Sequence, residues 1–240
     1  MTSQDWAALS QELTEALSLS VPPIALTFSA EPIDGVPAFQ DAMPQPTEDG
    51  RTGRVPAGCV FWMKAVDGTF NTAPEDHYNC SVGTFTHGLK KIEEVGGNQD
   101  VATLLSSGWV DEAAVSTIPF VSERPGNITY GPLAQTPVDP DVVLLRMNGR
   151  SLMILRDAYP QLPIEGKPQC HIVPMAKEHQ QMAASVGCML SRVRTGMPNY
   201  EMTCTIPAAQ LPEVAERLAS TAKVDATVGR YAAQDAARFR

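Results

Sequence analysis

Apolar residues recur at helical spacing from Trp6 to Leu19. Trp6, Leu9, Leu13, Ala16 and Leu17 share a face, Glu12 and Glu15 lie opposite, and Ser3 or Asp5 can cap the start. Val21-Pro22-Pro23 stops that helix, and Ile24-Ala25-Leu26-Thr27-Phe28 follows as a buried strand. A Pro-, Gly- and acid-rich loop covers residues 31–56, long enough to be functional or mobile. Gly58 to Ala65 begins a helix or a short strand, and Thr69 to Thr72 is extended. The segment opened by Pro74 runs into a helix through Leu89 and Ile92 that Gly96-Gly97 breaks. Short helices follow, capped by Asp100 and by Asp111. Strands are expected over 128–133, over 141–147 and, from the alternation in Glu201-Met202-Thr203-Cys204-Thr205-Ile206, over 201–206. Helical spacing marks 151–159, 178–184 and 211–222, and 224–240 reads as a helical or frayed tail.

No repeat, low-complexity tract or linker divides these elements. The expectation is one α+β domain spanning 1–240, a mixed sheet flanked by helices. Its 240 residues suffice for a large core without staples. A net charge of −9 with no basic cluster argues against nucleic-acid and anionic-membrane partners. Apolar runs such as Val142 to Leu145 are far too short to span a bilayer, and the start of the chain lacks a secretory pattern. A cytoplasmic location is therefore expected.

In that setting five cysteines argue against a disulfide framework and leave buried thiols, a reactive thiol, or metal and cluster ligands. Four sit beside small or kinking residues: Gly58-Cys59, Cys80-Ser81-Val82-Gly83, Pro168-Gln169-Cys170 and Gly187-Cys188. Cys204 lies inside an alternating strand and is assigned to packing. The absence of Cys-x-x-Cys counts against zinc ribbons, dithiol redox motifs and the usual ferredoxin spacing. Dispersed thiolates can still meet around one cluster. The densest chemistry is Pro74 to Gly88, where His77 and His87 bracket Cys80, and Asp76 can support His77 or cap a helix. His171 follows Cys170 directly, and His179 reads as a surface residue. Arg192 and Arg194 follow Cys188, where one can clamp an anion or form a surface ion pair. Met175, Met182, Met189, Met197 and Met202 suit either a soft metal or gap-filling. No dinucleotide-binding, phosphate-loop, serine-elbow or zinc-protease motif is present.

In order and approximate spacing the chain resembles the DUF169 family of prokaryotic proteins. The resemblance runs through Leu19-Ser20-Val21-Pro22-Pro23-Ile24-Ala25-Leu26, Cys59, Pro74-Glu75-Asp76 with Asn79-Cys80 and Gly83, Gly131-Pro132-Leu133, and Pro140-Asp141-Val142-Val143. It continues through Cys170, Gly187-Cys188, Arg192-Val193, Thr195-Gly196 and Tyr200-Glu201-Met202 to Ile206-Pro207. The resemblance implies a shared site at the positions of Cys59, Cys80, Cys170 and Cys188, and supplies no reaction. Many relatives differ at His77 to Asn79 and at Thr86-His87, which implies a subfamily with its own ligand.

The leading expectation is a [4Fe–4S] cluster held by Cys59, Cys80, Cys170 and Cys188 in an enzyme of reductase or lyase type. Its substrate would be a small polar molecule, with His77 or His87 as proton donor, Arg192 as anion clamp and an electron-donor protein as a possible partner. Homo-oligomerisation is compatible with this reading. The alternatives are haem with a Cys or His axial ligand, a non-enzymatic soft-metal or metalloid binder, and a cofactor-free Cys–His enzyme using Cys80.

Overall fold

The computed structural model describes residues 4–41 and 45–239. Helix α1 (Trp6–Leu17) leads into β1 (Ile24–Ser29), and a long loop connects to α2 (Cys59–Lys64) and β2 (Phe70–Thr72). Three short helices follow, α3 (Ser81–Thr86), α4 (Ile92–Val95) and α5 (Gln99–Ser106), then β3 (Asn127–Pro132), β4 (Val142–Met147) and α6 (Gly149–Ala158). The chain closes with β5 (Ile164–Glu165), α7 (Ile172–Lys177), β6 (Ala183–Ser185), α8 (Met189–Thr195), β7 (Met202–Pro207) and the long α9 (Leu211–Ala236). The strands form one seven-stranded sheet in the order β2-β3-β1-β4-β7-β6-β5. Only the β5–β6 pair is parallel. The expected α+β domain with a mixed sheet flanked by helices is what the chain forms.

The two sheet faces follow from the strand period of two. In β4, Val143, Leu145 and Met147 pack with Leu13, Leu17, Ile154, Leu211 and Leu218 of α1, α6 and α9. Val142 and Leu144 point the other way, with Phe61, Trp62, Tyr130, Cys170 and Val173. Cys204 and Ile206 of β7 join the first group. On the opposite face of β7, the Thr205 hydroxyl donates to the Ile172 carbonyl at 2.6 Å and ties α7 to the sheet. Cys204 is therefore separated by the sheet from the face that carries Cys170.

Several boundaries differ from the periodicity reading. Asp5 caps α1, its carboxylate accepting from the Ala8 amide at 2.9 Å, while Ser3 lies outside the described residues. The helix expected through Leu89 and Ile92 ends at Thr86, because Gly88 takes a left-handed φ of +72° and brings the chain against Val121. Asp100 does not cap α5. It lies inside the helix, and its carboxylate accepts from the Ser81 amide at 3.0 Å and the Ser81 hydroxyl at 2.6 Å. The helix expected over 178–184 is shifted: α7 ends at Lys177, Gln180 turns the chain at φ +51°, and Ala183 to Ser185 pair with β7. Small, buried Ala183 and Ala184 suit an inner strand, which their helix propensity hides. The helix expected at 211–222 continues to Ala236.

Parts of the long loop are pinned. Arg51 reaches the Asn79 carbonyl at 2.8 Å and Asp100 at 2.8 Å. Arg54 pairs with Asp76 at 2.9 Å, and the Asn79 amide donates to the Gly53 and Val55 carbonyls at 3.1 and 3.0 Å. Residues 42–44 of this loop lie outside the described residues.

At the far end of β4, Arg146 forks onto Glu201 at 3.1 and 2.9 Å, both side chains buried. The Glu201 carbonyl in turn receives the Arg192 guanidinium of α8 at 3.0 Å. Removing one partner leaves a buried charge alone. Arg146→Met should cost about 3–5 kcal/mol in urea unfolding, and the Arg146→Met/Glu201→Leu double variant should recover most of the loss.

Candidate functional site

Cys59 is the first residue of α2. Cys80 caps α3 and Cys188 caps α8, both from extended backbone. Cys170 sits in the 3-10 turn Gln169–His171 that enters α7. All four thiols thus stand where backbone N–H groups lack intrahelical partners. At Cys80 the Gly83 amide approaches the sulfur. A Cβ on Gly83 would contact that sulfur at 3.6 Å, so the small residue admits the approach.

The four side chains line one small cavity of about 20 Å³, together with Trp62, His87, Gln169 and Ser191. That space holds about one water molecule. All five cysteines of the chain are free. Among the described residues no three His, Cys, Asp or Glu side chains converge on a position that would hold a single metal ion. The sulfurs border a common space without meeting at a point.

The cavity is electrostatically unfavourable for free thiolates. Burial, then the neighbouring Cys80 and Cys188, push the Cys59 thiol up to about 12. Burial, then Cys80, Cys59 and Cys188, drive Cys170 well above its ordinary value. Burial also raises Cys80, opposed by the Gly83 amide and the Arg194 guanidinium. These thiols are neutral unless a cation joins them.

Polar groups around the cavity are unsatisfied. Trp62 Nε1, Tyr130 Oη, Gln169 Oε1 and Arg194 Nη1 are buried with no hydrogen-bond partner. Trp62 and Gln169 line the cavity, Tyr130 is close enough to Cys59 for their charges to interact, and Arg194 acts on Cys80. Three of the four are donors, so an electron-rich occupant would satisfy them.

The two histidines differ. His77 lies between Phe61 and Tyr130, with ring centroids 4.6 and 6.1 Å away. Its Nε2 lies 3.0 Å from the Thr72 hydroxyl, which donates its own proton to the Ile128 carbonyl at 2.7 Å. Nε2 is therefore the protonated nitrogen, and Nδ1 faces Gly58, where a Cβ would stand 3.2 Å away. Asp76 does not orient His77. Its carboxylate accepts from the Ala73 amide at 2.9 Å and holds Arg54. His87 has Nδ1 at 2.9 Å from the Gly83 carbonyl, so Nδ1 carries the proton and the Nε2 lone pair is available at the cavity wall. Burial lowers His77 well below the usual imidazole range and His87 to about 4. At neutral pH both are proton acceptors.

Arg192 is committed elsewhere. Its Nη2 donates to the Val186, Asn199 and Glu201 carbonyls at 2.9, 3.1 and 3.0 Å. Gly187, at φ +115°, is obligatory beneath it, since a Cβ there would meet Nη1 at 2.1 Å. Arg194 is the guanidinium whose charge acts on Cys80. Of the methionines, Met197 touches the edge of the site through Gln169 and Ser191, whereas Met182 and Met202 belong to the opposite core and Met189 is exposed. His171 and His179 line a separate groove with Trp109.

The histidine burial sets a pH dependence. His87 is lowered in the folded state, so the unfolded chain binds the extra proton between about pH 6.5 and about 4. Stability is present above that window and lost as pH falls through it, by about 3 kcal/mol from this residue. His77 and His171 act in the same direction. Urea titrations of the cofactor-free protein should show the loss, and His87→Phe should make the profile visibly shallower.

Comparison with curated proteins finds no match, and neither does comparison with solved structures. The profile of DUF169, described as an uncharacterised ArCR family, matches residues 12–217. That span runs from α1 into α9 and includes every strand and all four cavity-lining thiols. The chain belongs to the DUF169 family.

Proposed function

We propose that this chain is an iron–sulfur enzyme in which Cys59, Cys80, Cys170 and Cys188 hold a [4Fe–4S] cluster. The observation that carries the reading is the four-thiol cavity, fed from four separate helix starts and bordered by buried donors without partners. The fit is chemical. A single tetrahedral metal needs sulfurs about 2.3 Å from one point. A multi-iron core asks instead for thiols spaced around a larger body, and side chains must part by a few ångströms to admit it. Its positive iron ions would bring the raised thiols into the thiolate state. Trp62 Nε1 and Arg194 Nη1 would supply hydrogen bonds or charge to its sulfurs.

When bound through all four thiolates, the cluster would supply electron transfer, giving reductase chemistry on a small molecule; lyase chemistry would require one of the four to leave its iron open to substrate. His87, neutral and held by Gly83, takes up a proton at Nε2 before it can deliver one. His77 is placed to fix the α2 start rather than to reach substrate. Arg194 replaces Arg192 as the cation of the site. A reductase would draw on an electron-donor protein. Haem is a poorer fit, because it would use only one or two of the four thiols as axial ligands. A soft-metal binder without turnover gains little from the methionines, which are dispersed.

Anaerobically purified or reconstituted protein should be brown and retain iron and acid-labile sulfide. A colourless protein without iron would reject the proposal. Serine at Cys59, Cys80, Cys170 or Cys188 should weaken retention beyond the about 10–100-fold typical of an outer partner. Cys204→Ser should leave it intact. Arg194→Gln should keep the cluster but lower its midpoint potential in a redox titration, because a nearby cation favours the more negative reduced state.

A further inference from the structure

A cavity of about 720 Å³ opens beside α3, bounded by α4, α5 and the 112–124 segment. Its wall is apolar: Phe85, Val101, Leu105, Val115, Ile118 and Phe120. Phe120 is 49% exposed and packs on Phe85 as a tilted pair with ring centroids 5.2 Å apart, and both line the cavity. The volume is that of a small-molecule site, which lies at about 300–1,000 Å³.

The lip is charged. Lys90, Lys91 and Arg124 line it, against Glu93 and Glu112. Tyr78 organises two of the cations: Lys90 Nζ lies 4.0 Å over its ring, and Arg124 interacts with its hydroxyl. Arg124 also pairs with Glu94 at 3.6 Å, while neither lysine is ion-paired among the described residues. With Arg124 offset by Glu94 and the lysines set beside Glu93 and Glu112, the opening is mixed in charge, and Lys90 and Lys91 are its ammonium groups outside the ion pairs of the described residues, above an apolar floor.

A second apolar space adjoins the floor. A narrow space of about 40 Å³, with an entirely apolar surface, shares Phe85, Val101, Leu105, Val115 and Ile118 with the outer cavity. It shares Val82 and Pro168 with the thiol cavity. The Val121 amide, donating to the Thr86 carbonyl at 3.0 Å, fixes the outer wall directly beside His87.

We infer that this funnel binds an amphipathic small-molecule anion, a carboxylate or sulfonate with an acyl or aryl body. The head lies at Lys90 and Lys91, and the apolar body points along the funnel toward the thiols. The binding site stands on its own geometry. Its role as the substrate site rests on the iron–sulfur reading, and makes that substrate apolar along most of its length.

The test uses the full-length, metal-free protein and 1-anilinonaphthalene-8-sulfonate as a fluorescent anion. Saturable binding at one site should be displaced by octanoate, with octanol at least about tenfold weaker and acetate inert. Lys90→Glu/Lys91→Glu should weaken octanoate by about tenfold, and Lys91→Glu alone, at an exposed position, should weaken it measurably without loss of fold. Octanoate should also slow methanethiosulfonate labelling of Cys80 and Cys188. Equal displacement by octanol, indifference to the lysine reversals, or unprotected thiols would each overturn the inference. Because these readouts need no iron, octanoate binding in a protein that never takes up a cluster would sink the cluster reading and leave the anion site standing.

Discussion

A β-strand in the middle of this sheet has no solvated side. Val142 to Met147 are buried throughout, so each alternate side chain must enter one of two cores. That constraint divides the molecule's labour. One core, under α1, α6 and α9, is aliphatic and chemically inert but for the single thiol of Cys204. The other is aromatic and polar, and it receives the helix starts that carry the remaining thiols. Arg146 is the exception on β4. It is tolerated because Glu201, just before the paired strand β7, meets it in a two-pronged contact.

The polar half-core is held by ties between segments remote in sequence. Asp100 holds Ser81 next to Cys80 and is itself held by Arg51. Gln169, beside Cys170, donates to Ser191 at 2.8 Å, three residues beyond Cys188. The Thr72 hydroxyl relays between His77 and the sheet. Each tie satisfies a group whose burial would otherwise be costly. Two of the atoms left unsatisfied among the described residues, Trp62 Nε1 and Gln169 Oε1, belong to residues of the cavity wall, where the polar accounting remains open.

The sequence was most legible where chemistry follows local spacing. The bounded apolar run of β4 and the alternation of β7 marked both strands, and that alternation assigned Cys204 to packing. Small neighbours singled out the four thiols, although of the adjacent glycines Gly187 is required by its left-handed φ and by Arg192, while a Cβ at Gly83 would make only ordinary contact with the Cys80 sulfur. Through-space features were not legible. Nothing in the order of residues reveals that Arg194, rather than Arg192, is the cation that acts on Cys80, because the commitment of Arg192 depends on which carbonyls lie within its reach. Asp100 looks like a helix cap until Ser81 and Arg51 are seen around it. Trp62 and Tyr130 read as core aromatics, and only their orphaned polar atoms distinguish them. The anion funnel is assembled from segments whose apolar residues resemble any half-buried helix face.

The spread of the thiols along the chain bears on biogenesis. Cys59 and Cys80 leave the ribosome long before Cys170 and Cys188, and β7, which anchors the α8 region through Glu201, comes later still. A nascent polypeptide therefore lacks at least one of the four sulfurs until Cys188 has been made, and the cavity that they line is complete only once the last strand docks.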